Sequence, residues 1–236
     1  MTGVQTCALP IYGWKNLKKH GGLASIWRGV TAPPAERKEK WDRFFKEIRQ
    51  PDWWQGDDLP HPAPLHAPVS HLEQVLVEGK FAITAEAAPP LSANADDLIK
   101  KLAVLKDWVD AVNFTDNPSS TPRMSSLACS LVALQQGVEP VLQIAARDRT
   151  RMGLQGEVLG ASALGIRNIL CLTGDHPRLG PAPNGRMDIW DLDAIQMLWL
   201  LRRMRDEGQF LDCREIKCAP QVFLGAAGSP YASKPI

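Results

Sequence analysis

The chain has 236 residues, 44% of them apolar and 22% charged, with a net charge of +1. This length suits one large domain or a domain with an appendage, and the composition is that of a soluble globular protein. The balanced charge argues against a nucleic-acid surface or a membrane-binding face, and no apolar run approaches the roughly 18 residues of a membrane helix. Five cysteines (Cys7, Cys129, Cys171, Cys213, Cys218) form no CxxC and no metal-ligand spacing. They read as thiols in a reducing compartment, the cytoplasm, with no structural zinc.

Residues 1–11 (MTGVQTCALPI) lack the basic region and the apolar length of a signal peptide. They look like a translated sequencing adapter and are set aside. Residues 12–54 hold Trp14, Trp27, Trp41, Trp53 and Trp54, and Glu36 to Gln50 reads as a helix with Trp41, Phe44, Phe45 and Ile48 on one side. Glu36, Glu39, Asp42 and Glu47 offset much of its basic charge, so a packed helical module is favoured over nucleic-acid stacking. Residues 55–69, with Pro60, Pro62, Pro64 and Pro68, form a semi-rigid linker in which His61 and His66 read as exposed side chains rather than a metal pair.

From Ser70 the pattern changes. Ser70 caps a short helix ending at Gly79, and Lys80 to Ala85 reads as a strand that leads to Glu86. Ser92 or Asn94 caps a helix striped by Leu98, Leu102 and Leu105. Ala111 to Phe114 is a strand ending at Thr115. A helix from about 124 to 136 closes at Gly137, and Pro140 to Ala145 is a third strand containing Gln143. A helix over 151–164 precedes Ile169 to Leu172, a short apolar run suited to a strand buried on both faces. That run breaks at Thr173-Gly174-Asp175, a carboxylate at a strand's carboxyl end, where α/β folds place ligands. A helix over 191–207 stops at Gly208, and Gln221 to Ala226 is a fifth strand.

Strands alternating with helices, without hairpin signals, predict a parallel α/β sheet. No Gly-x-Gly-x-x-Gly follows the first strand, which weakens the dinucleotide-binding doubly wound reading. The candidate polar residues Glu86, Thr115, Gln143 and Asp175 belong to four different strands, as in a (β/α)₈ TIM-type barrel. A whole barrel takes about 250 residues, so residues 70–236 are expected to form an incomplete one of about five βα units.

Phe81-Ala82-Ile83-Thr84-Ala85-Glu86-Ala87-Ala88-Pro89-Pro90, Asn113-Phe114-Thr115 and the run from Gly165 to Asp175 resemble, in order and spacing, the methylenetetrahydrofolate reductase family. The resemblance spans residues 70–230. Residues 12–54 look like the tail of the zinc-binding domain that accompanies this reductase in some anaerobic bacteria. The resemblance implies FAD at the strand ends and reduction of 5,10-methylenetetrahydrofolate to 5-methyltetrahydrofolate. It also implies Glu86 as the general acid that helps open the methylene bridge and Asp175 as a carboxylate that stabilises the iminium cation. Thr115, Gln143, Leu172, Thr173, Gly174, Asp175, Trp190, Gly225 and Ala226 fall at flavin-contacting positions.

This chain also departs from the family. Asp116-Asn117 replaces Tyr-Gly, Gln143 a histidine, and Ala-Gly-Ser-Pro a Tyr-Pro on strand five. Thr173 replaces the arginine before Gly-Asp, which removes a positive charge near the flavin. These changes leave the electron donor open among NADH, NADPH and an iron–sulfur partner, and leave open a homo-oligomer or a complex with an electron-transfer subunit. They also motivate an alternative reading, a flavin-free docking subunit of a folate or corrinoid methyl-transfer complex. Residues 70–236 alone, with two open sheet edges, are expected to aggregate or hold FAD poorly.

Overall fold

The structure is a computed structural model that describes residues 66–181 and 191–228. The tryptophan-rich segment, most of the proline linker and Trp190 lie outside the described residues. The elements are α1 (His71–Val77), β1 (Thr84–Ala87), α2 (Asp96–Leu105), β2 (Ala111–Phe114) and α3 (Ser126–Gln135). They continue with β3 (Pro140–Ala145), α4 (Arg151–Ala163), β4 (Asn168–Leu172), α5 (Ala194–Asp206) and β5 (Phe223–Ala226).

Local chemistry explains most boundaries. Ser70, Ser125 and Thr150 start α1, α3 and α4 by accepting a backbone N–H with their hydroxyls, and Asp193 starts α5 in a reciprocal capping box with Gln196. Gly137 and Gly165 take left-handed φ values of 70° and 86° just past α3 and α4, where a side chain would be strained. The cap of α2 differs from expectation. Ala95 occupies the capping position without a side-chain bond, and Asn94 acts one step upstream, its Oδ1 accepting from Asp96 N at 2.9 Å. The first strand begins four residues later than its apolar run predicts and carries Glu86 within it. Asp110 accounts for the delay, because Oδ2 accepts from Ile83 N at 2.7 Å and so takes a donor that a ladder would otherwise use.

All five strands are parallel and lie in the order β1-β2-β3-β4-β5. A doubly wound sheet reverses direction at a switch point, whereas strictly sequential addition with right-handed crossovers puts the connecting helices on one face and curls the sheet into a barrel wall. The wall is not closed among the described residues.

Alternation separates the two faces. Val112 and Phe114 point outward and are fully buried with Leu98 and Leu102 of α2 and Cys129 and Ala133 of α3. Ala111 and Val141 point inward, where Leu72 and Leu76 of α1 cover them together with Leu170. Helix α1 therefore closes the amino-terminal floor of the wall. Glu139 holds it there, accepting from His71 N at 2.9 Å and Leu72 N at 2.8 Å. Cys129 and Cys171 are core residues whose thiols burial pushes up to about 11 and about 12, so neither supplies a thiolate.

This packing makes an energetic contrast on α2. Leu102 is 0% exposed and Val104 is 72% exposed. Leu102→Ala is expected to cost about 2–5 kcal/mol, and Val104→Ala to stay within about 0.5 kcal/mol. Urea denaturation of the two variants checks the pair.

Candidate active site

Parallel strands place their carboxyl ends along one rim, and the expected residues other than Trp190 fall on that rim or on the inward face below it. Register joins several of them directly. Gln143 of β3 is level with Leu170, and Leu170 with Gly225. Leu172, two residues above Leu170, shares that face. Ala226 is one residue on from Gly225, pairs with Cys171 and is exposed. Gln143 is 5% exposed, and its carbonyl accepts from Ser126 Oγ at 2.8 Å, which fixes β3 to α3.

Glu86 sits on the same inward face, level with Asn113, but on the outermost strand and exposed to solvent. The burial expected of a general acid is not present in the described residues. Glu86 and the Asp175 turn are not brought into contact, because β1 and β4 are three strand spacings apart, about 14 Å along the sheet. They flank an open space rather than form a pair.

The turn after β4 is held more tightly. Gly174 has φ of +94°, and a Cβ there would meet the Cβ atoms of Arg147 at 3.0 Å and Ala145 at 3.1 Å. Only glycine suits both the backbone and the space. Thr173 accepts from Ala194 N through Oγ1 at 3.1 Å, anchoring the turn to the first residue of α5. Asp175 Oδ2 accepts from Ser119 N at 2.6 Å, and the Asp175 carbonyl accepts from Ser120 Oγ at 3.0 Å. The loop after β2 thus meets the loop after β4.

A buried polar atom marks the rim between them. The Thr115 hydroxyl, just past β2, has no hydrogen-bond partner among the described residues. Such an orphan normally costs free energy unless a ligand or water satisfies it.

Sequence reasoning overlooked the charged residues that support this rim. Asp116 accepts from Ala145 N at 2.8 Å and pairs with the guanidinium of Arg149, which also pairs with Glu157. Arg147 is 5% exposed and reaches the loops of both neighbouring strands. The signal was available as Arg147-Asp148-Arg149 one residue beyond a six-residue buried strand, a run that reads as a strand boundary when no contacts are known. Asp116 and Asn117 stand out in the sequence only as departures, while the structure shows both in use. The Asn117 carbonyl accepts from Arg147 Nη2 at 3.2 Å.

An open parallel α/β wall with its polar residues on the carboxyl rim defines a barrel enzyme site. The chain belongs to the methylenetetrahydrofolate reductase family, whose sequence model matches residues 71–206. The family domain is a TIM barrel, and the described sheet is its amino-terminal part. Membership makes the protein an oxidoreductase by family, one whose members act on folate. The comparison with curated proteins yields no match. Nothing in the described residues bears on the zinc-domain resemblance of residues 12–54. No described helix is long and apolar enough to cross a membrane.

Two outcomes test the geometry. Gly174→Ala is expected to destabilise by more than about 1 kcal/mol, read from the urea midpoint, because its φ and its space both refuse a side chain. Asp191 receives Arg151 Nε at 2.9 Å, and the Arg151 bonds hold its carboxyl below the ordinary range. A depressed folded pKa contributes stability that is present above the unfolded value and lost as pH falls through the folded one. Asp191→Asn is therefore expected to lower the midpoint at pH 7, with the gap to the parent closing below about pH 4.

Proposed function

We propose that the protein reduces 5,10-methylenetetrahydrofolate to 5-methyltetrahydrofolate in the cytoplasm, with FAD held at the carboxyl rim of the wall. The observation that carries this reading is the orphaned Thr115 hydroxyl, a buried donor and acceptor with no partner among the described residues, at a position where the family resemblance puts a flavin contact. Gly174 supports it, since a residue without Cβ leaves the backbone above β4 open to close approach. Thr115, Gln143, Leu172, Thr173, Gly174, Gly225 and Ala226 are the residues that would hold FAD, joined by Trp190 from outside the described segments. FAD, when bound and reduced, supplies a hydride to the substrate's one-carbon unit.

The chain's own residues have separate tasks. Glu86, on the inward face, gives the proton that opens the methylene bridge, and substrate lying over β1 supplies the cover that the open wall does not. Asp175, with Oδ2 fixed by Ser119 N, turns its remaining carboxylate oxygen to the cation that develops on the substrate. A carboxylate held in this way needs no reorganisation as charge appears. Asn113, level with Glu86, is 8% exposed and keeps the floor beside the acid polar without adding charge. The electron donor, whether NADH, NADPH or an iron–sulfur partner, acts on the same cofactor in every case.

The test is the visible spectrum of the protein purified from cells, with whatever sequence its gene adds at either end. An oxidised-flavin spectrum that methyltetrahydrofolate bleaches is expected. Glu86→Gln should keep that spectrum and lose about 10²–10⁴-fold in turnover. A folded, colourless protein would sink the reading and favour the flavin-free docking subunit.

A further inference from the structure

The structure brings a guanidinium to the Thr173-Gly174-Asp175 turn from the loop after the neighbouring strand. Arg147 lies two residues past Ala145, the last residue level with Leu172 of β4. Its Cβ packs under Gly174, and its backbone N–H donates to the Thr173 carbonyl at 3.0 Å. Nη1 donates to the Asp175 carbonyl at 2.8 Å and to Ser120 Oγ at 2.9 Å, and Nη2 donates to the Asn117 carbonyl at 3.2 Å. The carboxylate of Asp148 takes Nε at 2.8 Å and Nη2 at 2.6 Å. One buried cation is thus shared among the loops that follow β2, β3 and β4.

The loop after β2 cannot hold its shape unaided. Asn117, Ser119 and Ser120 have φ of 45°, 54° and 53°, left-handed values that L residues with side chains adopt at a cost. Arg147 and Asp175 hold them there, helped by Asp148 and Arg123 at Asn117 and by the His176 carbonyl at Ser120. Gly180, from the loop after β4, fits against the same segment, where a Cβ would come within 2.3 Å of the Ser120 carbonyl oxygen. The two loops are interlocked, and the guanidinium is the group common to both.

We propose that Arg147, from the loop after β3, is a positioning residue for the reaction: it clamps the Gly174-Asp175 turn to the strained β2 loop so that Asp175 is held in one arrangement. Lysine cannot do this, since an ammonium lacks the planar fork that serves several acceptors at once. The inference deepens the reductase reading and rests on it for the word reaction, whereas the clamp itself rests on contacts alone.

The experiment follows the Ser119 amide by hydrogen exchange alongside turnover. In Arg147→Ala, exchange at Ser119 is expected to rise about ten-fold, the equivalent of one lost hydrogen bond, while amides of β3 and β4 keep their protection. Turnover is expected to fall about 10²-fold, as for a misplaced group, and guanidinium ion added to the solution should restore part of both. Arg147→Lys should behave like Arg147→Ala. Unchanged exchange at Ser119 overturns the proposal, and so does exchange that rises equally through the whole sheet, which would make Arg147 a general support of the fold. If Arg147→Ala does not fold, Ser120→Ala decides: faster exchange at Ser119 supports the clamp, and unchanged exchange overturns it. A protein without flavin or reductase activity, yet with Ser119 coupled to Arg147, would keep the clamp and discard the functional reading.

Discussion

The guanidinium of Arg147 is the contact on which the carboxyl rim depends. Parallel strands deliver their ends to one edge but do nothing to organise the loops that leave it. A buried arginine must be fully hydrogen-bonded to be tolerated, and here that requirement is met by three consecutive loops at once. Burial works against the charge, while bonds and charges from Asp148, with Asp175 and Asp116 behind it, more than offset that and raise its pKa. Asp148 is held low in turn: burial opposes its ionisation, and the bond and charge of Arg147, with Asn117 and Arg149, together outweigh it.

The same logic repeats one step further from the rim. Asp116 seals the start of the β2 loop to the end of β3, Arg149 joins Asp116 to Glu157 of α4, and Arg151 ties the start of α4 to Asp191. All but the Arg149–Glu157 pair connect segments distant in sequence, and each lies at the carboxyl side of the wall. The opposite end is built differently. There apolar contacts between α1 and the inward faces of β2, β3 and β4 predominate, and Glu139 supplies the polar seal. Packing at one end and ion pairs at the other match a fold in which one end bears load and the other accommodates chemistry.

The sequence was most informative where one interaction dominates locally. Pro140 to Ala145 is a strand with the expected ends, because every residue in it is buried and Gly137 stops the helix before it. The helix start at Ser70 was legible as a capping hydroxyl, whereas the helix from Arg151 was placed without its cap, Thr150, being singled out. The barrel reading over a doubly wound sheet also came from the residues, through candidate polar groups spread over many strands, and the sequential strand order agrees with it. Long-range placement could not be read. Nothing near Ile83 announces that Asp110, 27 residues on, takes its N–H and delays β1. Nothing near Arg147 announces that Ser120 and Asp175 are its acceptors, since each partner lies more than 25 residues away. Glu86 was legible as a residue at the end of the first strand, but its exposure depends on what lies beside an outermost strand, which local pattern does not encode.

The seating of α1 also bears on the order in which this wall assembles. The helix precedes every strand, yet the carboxylate that receives its first N–H groups belongs to Glu139, which lies 68 residues after His71. Its apolar side likewise rests on Val141 and Leu170. This helix therefore lacks the carboxylate that seats it until the third strand has joined the second, and its full footing waits for the fourth. Closing so long a loop raises the contact order of the floor and slows its formation relative to the helix-covered outer face. The floor is a late event in folding, added to a curved sheet that has already taken its shape.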